Sequence, residues 1–262
     1  MSEDLTVDKC NKAQAFLKLL EIMDDLRAKC PWDIKQTNDS LRMLTIEETY
    51  ELSDAIMDNN TQDIMEEIGD LMLHLVFYAK IGEESSHFNI TDVLNGICEK
   101  LIKRHPHIYG NIKVDNEEDV KRNWEQIKLA EGKKSVLSGV PKSLPAMIKA
   151  YRMQEKTAQI GFEWRDKKNV WAKVEEEIRE FKEALDAGDQ KRKEDEFGDI
   201  LFSLINYARY EGINPETALE KVNRKFKSRF EYIEQNAGRA LTDMSLEQMD
   251  ELWNQAKILL KV

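Results

Sequence analysis

The stretch EEIREFKEALDAGDQKRKEDEFGD, Glu176 to Asp199, decides the fold. Val174, Ile178, Phe181 and Leu185 before its central glycine recur at helical spacing, and so do Phe197, Leu201, Leu204 and Ala208 after it. The Ala187-Gly188-Asp189 break joins the two segments as a helical hairpin. At about 100° per residue, Glu180 lies about 60° from Glu177 and Asp199 about 60° from Glu196, so each acidic pair edges the apolar stripe of its helix. Glu180 and Glu196 each stand eight residues from Gly188, and Glu177 and Asp199 each stand eleven. With a rise of about 1.5 Å per residue, an antiparallel hairpin sets each pair level, roughly 12 and 16 Å from the turn.

The same pattern occurs once more, as EETYE at Glu47 to Glu51 and EIGD at Glu67 to Asp70. In both copies 19 residues separate the second Glu of the first motif from the Glu of the second, and the earlier copy is symmetric about Asn59. Tyr78-Ala79-Lys80 precedes Tyr207-Ala208-Arg209 by 129 residues, the offset that relates the acids. Lys100 and Arg104, in KLIKR, precede Lys225 and Arg229, in KFKSR, by 125. Matches that keep register across unlike residue types indicate duplication. GKKSVLSGVPKSLP, residues 132–145, carries two Gly and two Pro and marks the boundary, giving an N-terminal domain over 1–134 and a C-terminal domain over 135–262.

With 262 residues the chain can bury a core in each of two domains. Charged residues at 34%, and only 11 Gly and 5 Pro, point to helices with short connections, hence an all-α protein. A net charge of -11 disfavours a surface that grips a nucleic-acid polymer or an anionic membrane. Cys10, Cys30 and Cys98 are too scattered for a zinc site or a disulfide framework, and no apolar run approaches membrane-spanning length. MSEDLTVDK lacks the layout of a signal peptide, so a cytoplasmic location is expected.

Along the chain the pattern predicts helices over about 10–29, 44–57, 64–81, 90–103 and 117–131, then 144–159, 170–187, 189–210, one opened by Asn214-Pro215, and a last one capped by Ser245. CPWD at 30–33 and GFEW at 161–164 break each copy after its first helix. Asn59 suits the left-handed end of a helix, and Thr61 is the expected cap of the next.

Four carboxylates converging beside an apolar seam repel one another unless a cation is bound. An oxygen-only set, Glu177, Glu180, Glu196 and Asp199 with its echo Glu48, Glu51, Glu67 and Asp70, suits Mg²⁺, or Mn²⁺ in its place. One such motif alone is more often a solvated face; two with matching symmetric spacing favour metal. Lys225 and Arg229, one turn apart, either pair with these acids or hold phosphate oxygens that the metal leaves unneutralised. Arg192 and Lys193 either reach the same ligand or face solvent, and Trp253, on an otherwise polar helix, either stacks on a base or simply packs.

EExxE followed by ExGD, duplicated, with CPWD and RHPH in the first half and GFEW and KFxxRF in the second, resembles the MazG family of nucleoside triphosphate pyrophosphohydrolases. The resemblance spans nearly the whole chain. It implies an all-α homodimer whose helices from both subunits build the core, and Mg²⁺-dependent hydrolysis of nucleoside triphosphates to monophosphate and pyrophosphate. It implies metal ligands at the eight acids named above, triphosphate contacts from Lys173, Arg192, Lys193, Lys225 and Arg229, and Trp253 near the base. Where the family pattern has Asn before the basic motif, as at Asn223, the first half has Cys98, which makes the second half the expected catalytic unit. Glu176, or one of the ligands Glu177 and Glu180, is the candidate to orient the attacking water. A di-iron carboxylate bundle would need two ExxH motifs on facing helices, and Glu84 to His87 is outside the hairpins. A non-catalytic helical binding module is the other alternative, separated by product formation.

Overall fold

The computed structural model describes residues 2–116, 119, 120, 123, 124, 127 and 135–260, and of residues 2–7 the backbone alone. Most of the helix expected over 117–131, and the boundary after residue 134, fall outside the described residues. The described residues form helices and turns, with no strand among them. They divide into two compact units, residues 1–113 and 114–262.

In the first unit, α1 (Ser2–Lys29) is followed by a 3-10 turn (Asp33–Lys35), α2 (Asn38–Met57), α3 (Thr61–Glu84), α4 (Ile90–Arg104) and the short α5 (Pro106–Tyr109). Helices α2 and α3 pack as the expected hairpin, and α1 lies against α3. Met23, Leu41, Val76 and Phe77 form the buried core, with Leu20, Leu44 and Leu73 packed around them. Arg27 holds the CPWD break in place: its guanidinium donates to the Asp33 carbonyl at 2.5 Å, to the Gln36 carbonyl at 3.2 Å and to Glu84 Oε1 at 2.9 Å, and lies 5.3 Å above the Phe77 ring.

In the second unit a 3-10 turn (Val136–Gly139) precedes α6 (Ala146–Ala158), α7 (Lys167–Ala187), α8 (Gln190–Tyr210), α9 (Pro215–Asn236) and α10 (Leu246–Leu259). Helices α7 and α8 form the second hairpin, α6 packs on α8, and α9 packs on α10. The GFEW break is again tied down by an arginine, since Arg209 Nη2 donates to Glu163 Oε2 at 2.9 Å. Tyr210 completes the anchor by donating its hydroxyl to the Trp164 carbonyl at 2.6 Å.

The hairpin turns follow local chemistry. Gly188 takes the left-handed conformation at φ 71°, and Asp189 caps α8 by accepting from the Lys191 and Arg192 amides. Asn59 is left-handed at φ 53° in the first copy. The cap of α3 is Asn60, not the expected Thr61: the Asn60 side chain accepts from the Gln62 and Asp63 amides, which makes Thr61 the first residue of the helix. The expected buried stripe also differs. In the single chain Phe197, Leu201 and Leu204 are 51%, 44% and 40% exposed, and Ile46, Met65, Ile68 and Leu75 are exposed in the first copy. The second hairpin buries Val174 of the expected stripe together with Ala184 and Ile205, where α6 packs on α8.

Candidate active site

Helix α7 contributes Glu177, and α8 contributes Glu196 and Asp199; one carboxylate oxygen of each lies within 4.8 Å of the other two. Glu48 from α2 and Glu67 and Asp70 from α3 meet in the same way in the first copy. The level pairing about each turn brings together acids that are 19 to 22 residues apart in sequence. Glu180 and Glu51 stand outside these close trios. They remain electrostatically part of them: the Glu180 carboxyl is pushed above its usual range by burial and then by the charges of Glu196 and Glu177. Glu51 in turn raises Glu67, after burial, and Glu48, after burial and Asp70.

Asp199 is likewise raised by burial first and by Glu177 and Glu196 next. Desolvation followed by like charge is the mark of carboxylates crowded beside an apolar face without enough positive charge. Glu67 Oε2 is buried with no hydrogen-bond partner. A hard divalent cation fits this oxygen-only set, because it neutralises the crowded charges and satisfies such orphaned oxygens together.

Glu177 is only 5% exposed and has a local counter-charge in Lys173. Lys173 Nζ lies 2.8 Å from both Glu176 Oε1 and Glu177 Oε1. The hydrogen bonds to Glu176 and Glu177 raise the Lys173 pKa, and Lys173 holds the Glu176 carboxyl below its usual range. Arg192 Nε donates to Glu196 Oε1 at 3.3 Å, and its Nη2 lies 3.4 Å from Glu183 Oε2. Lys193 is half-buried next to it. The 129-residue offset puts Leu44, Asp63 and Ile64 of the first copy at the positions of Lys173, Arg192 and Lys193. The first copy thus keeps the acids and lacks the hairpin's three cations, a difference legible in the sequence that the basic motif alone did not reveal.

Lys225 and Arg229 sit on α9, outside the ion pairs of the acidic trio among the described residues. Arg229 lies 5.4 Å from the ring of Trp253, which also packs on Phe226 at 5.3 Å. Its Nε is buried and has no hydrogen-bond partner. Trp253 therefore covers a guanidinium that has capacity left for an anion. Among the described residues no helix is long and apolar enough to cross a membrane.

The profile of the MazG nucleotide pyrophosphohydrolase domain matches residues 36–109, and that of phosphoribosyl-ATP pyrophosphohydrolase matches residues 145–226. The chain is similar to the nucleoside triphosphate pyrophosphohydrolase/pyrophosphatase MazG of Thermotoga maritima, 42% identical over 250 residues that cover 92% of this chain and 95% of the relative. It is also similar to the nucleoside triphosphate pyrophosphohydrolase of Escherichia coli strain K12, 39% identical over 256 residues covering 94% and 97% of the two chains. The Bacillus subtilis protein YabN is 48% identical over 251 residues, which make up 92% of this chain and 51% of the relative.

Proposed function

This chain belongs to the MazG nucleotide pyrophosphohydrolase family, and we propose that its second acidic hairpin hydrolyses nucleoside triphosphates to monophosphate and pyrophosphate with Mg²⁺, or Mn²⁺ in its place. The observation that carries this reading is the trio Glu177, Glu196 and Asp199 within 4.8 Å, flanked by cations that the first copy lacks. When bound by these three with Glu180 beside them, the metal supplies charge neutralisation at the phosphoryl oxygens and at the leaving pyrophosphate.

The chain's own groups do the rest. Lys173, kept protonated by Glu176 and Glu177, binds a phosphate oxygen and fixes the Glu177 carboxylate. Arg192 orients Glu196, and Lys193 adjoins it on the same turn. Lys225 and Arg229 bind the remaining phosphate oxygens, with Trp253 positioning the Arg229 guanidinium. Glu176, held ionised by Lys173, accepts a hydrogen bond from the attacking water and orients it. The first copy, with Glu48, Glu51, Glu67 and Asp70, binds metal without being the main catalytic unit, and the two domains 1–134 and 135–262 divide the work in this way.

Incubation with a nucleoside triphosphate and Mg²⁺ tests the reading. Monophosphate and pyrophosphate are expected in equal amounts, and Glu180→Ala is expected to slow their release by about 10²-fold with an unchanged circular-dichroism spectrum. Wild-type turnover in the Glu180→Ala variant would remove Glu180 from the site, and no turnover by the wild-type protein would leave nucleotide binding without chemistry.

The protein acts as a cytoplasmic homodimer in this reading. The exposed apolar rows on both hairpins, Leu201 and Leu204 among them, need covering, and a second copy supplies a matching apolar face. Leu201→Asp places a charge in that row and is expected to shift the mass measured by light scattering from dimer to monomer. A wild-type monomer at micromolar concentration would refute the assembly.

A further inference from the structure

In the second hairpin two of the three clustered acids already hold a side-chain cation. Lys173 Nζ lies 2.8 Å from Glu177 Oε1 and 2.8 Å from Glu176 Oε1, so one ammonium bridges two carboxylates of α7. Arg192 Nε donates to Glu196 Oε1 at 3.3 Å. The reach of Lys173 extends beyond its direct contacts. Burial and then neighbouring acids, Glu196 for Glu180 and Glu177 for Asp199, raise both of those carboxyls, and the Lys173 charge opposes each shift. A single flexible cation thus acts on Glu176, Glu177, Glu180 and Asp199 together. Three of these four are acids on which a hard divalent ion would place its charge.

The first copy is built without this cation. The 129-residue offset puts Leu44 at the place of Lys173 and Asp63 at that of Arg192. Burial raises Glu48 and Glu67 there, and the charges that act on them belong to other acids, Asp70 and Glu51 among them. Glu67 Oε2 is buried with no hydrogen-bond partner. Crowded acids that lack a counter-charge have the most to gain from a metal ion alone. In the second copy Lys173 has already taken part of that gain. An ion that settles on Glu177 also meets an ammonium held 2.8 Å from the same carboxylate, and the two cations repel.

Resting on the pyrophosphohydrolase reading above, we propose that Lys173 is a built-in counter-ion that neutralises the second hairpin until nucleotide arrives, so that this copy takes up its metal together with the triphosphate, whereas the first copy takes up metal alone. Lysine suits the task. Its ammonium is a compact charge on a flexible four-carbon stem, and the Lys173 side chain is 34% exposed, which leaves it room to turn outward. Leaving Glu177 breaks an ion pair, and a phosphate oxygen restores one. Metal on the acids and phosphate on Lys173 therefore favour each other, and linkage makes the effect reciprocal. The catalytic copy stays largely free of metal at concentrations that fill the first copy, and is completed by its substrate.

Mn²⁺ binding without nucleotide, read by electron paramagnetic resonance at about pH 8 where the carboxylates are ionised, tests this in an Asp70→Asn background that weakens the first site. Adding Lys173→Met is expected to tighten Mn²⁺ binding by about tenfold and, in steady-state hydrolysis, to raise KM for the triphosphate by about tenfold. Lys173→Arg keeps the charge and is expected to hold Mn²⁺ affinity within about twofold of its parent. A residue that merely clamped Glu177 would give the opposite sign, with Mn²⁺ loosened in Lys173→Met. A phosphate contact and nothing more would raise KM and leave Mn²⁺ affinity unchanged. Either result overturns the counter-ion assignment and leaves the pyrophosphohydrolase reading standing. Absence of monophosphate and pyrophosphate from every wild-type reaction would overturn both. Should Lys173→Met fail to fold, Mn²⁺ titration of Asp70→Asn and Asp199→Asn decides: binding about tenfold tighter in Asp199→Asn, which keeps the first hairpin intact, supports the assignment, and equal or reversed affinities overturn it.

Discussion

Asp199→Asn is expected to reduce pyrophosphate release by about 10³-fold while the protein stays folded. The substitution keeps shape and removes one charge from a trio whose oxygens lie within 4.8 Å. Asp199 already carries a raised pKa, from burial and from Glu177 and Glu196, so neutralising it relieves repulsion in the metal-free protein. Metal-free melting temperature should therefore stay level or rise. The metal response should invert that order. Mg²⁺ at about a hundred times its Kd stabilises a one-site protein by about 2.7 kcal/mol, and the variant loses this increment at the second hairpin. Calorimetric titration with Mg²⁺ and a coupled pyrophosphate assay measure the two effects separately. Asp70→Asn provides the contrast: it removes the equivalent charge beside Leu44 and Asp63, where the hairpin cations are missing, and should cost metal binding in the first unit with turnover close to wild type. A loss of turnover in Asp70→Asn with normal turnover in Asp199→Asn would reverse the assignment of the catalytic copy.

Phe77→Ala is expected to destabilise the first unit by about 3–5 kcal/mol. Phe77 is 2% exposed and sits among Met23, Leu41 and Val76, so truncation removes transfer energy and leaves a cavity in the buried cluster that these residues form. It also strips the ring from beneath Arg27, 5.3 Å away, the residue that ties the CPWD break to α3. Urea unfolding followed by far-ultraviolet circular dichroism measures the change. A shift below about 1 kcal/mol would mean that the core of this unit lies elsewhere.

Much of this protein can be read from spacing. The hairpins were legible because helical period and a glycine or asparagine at the left-handed position are local signals, and duplication repeated them in register. Local signals also set the limit. Thr61 and Asn60 are both good caps, and only the backbone conformation at each decides which side chain meets the free amides. The apolar row of Phe197, Leu201 and Leu204 reads as buried in any periodicity argument, yet periodicity says that a face needs covering and not whether the same chain covers it.

The sequence by itself determined an all-α chain of two acidic hairpins and nominated the eight acids, because helix geometry converts residue number directly into angle and height. Tertiary structure decided which of those acids meet closely, placing Glu177, Glu196 and Asp199 together and Glu180 just outside. It also placed Lys173 between Glu176 and Glu177. Those outcomes depend on side-chain direction and on packing between helices distant in sequence, and no single helix encodes them.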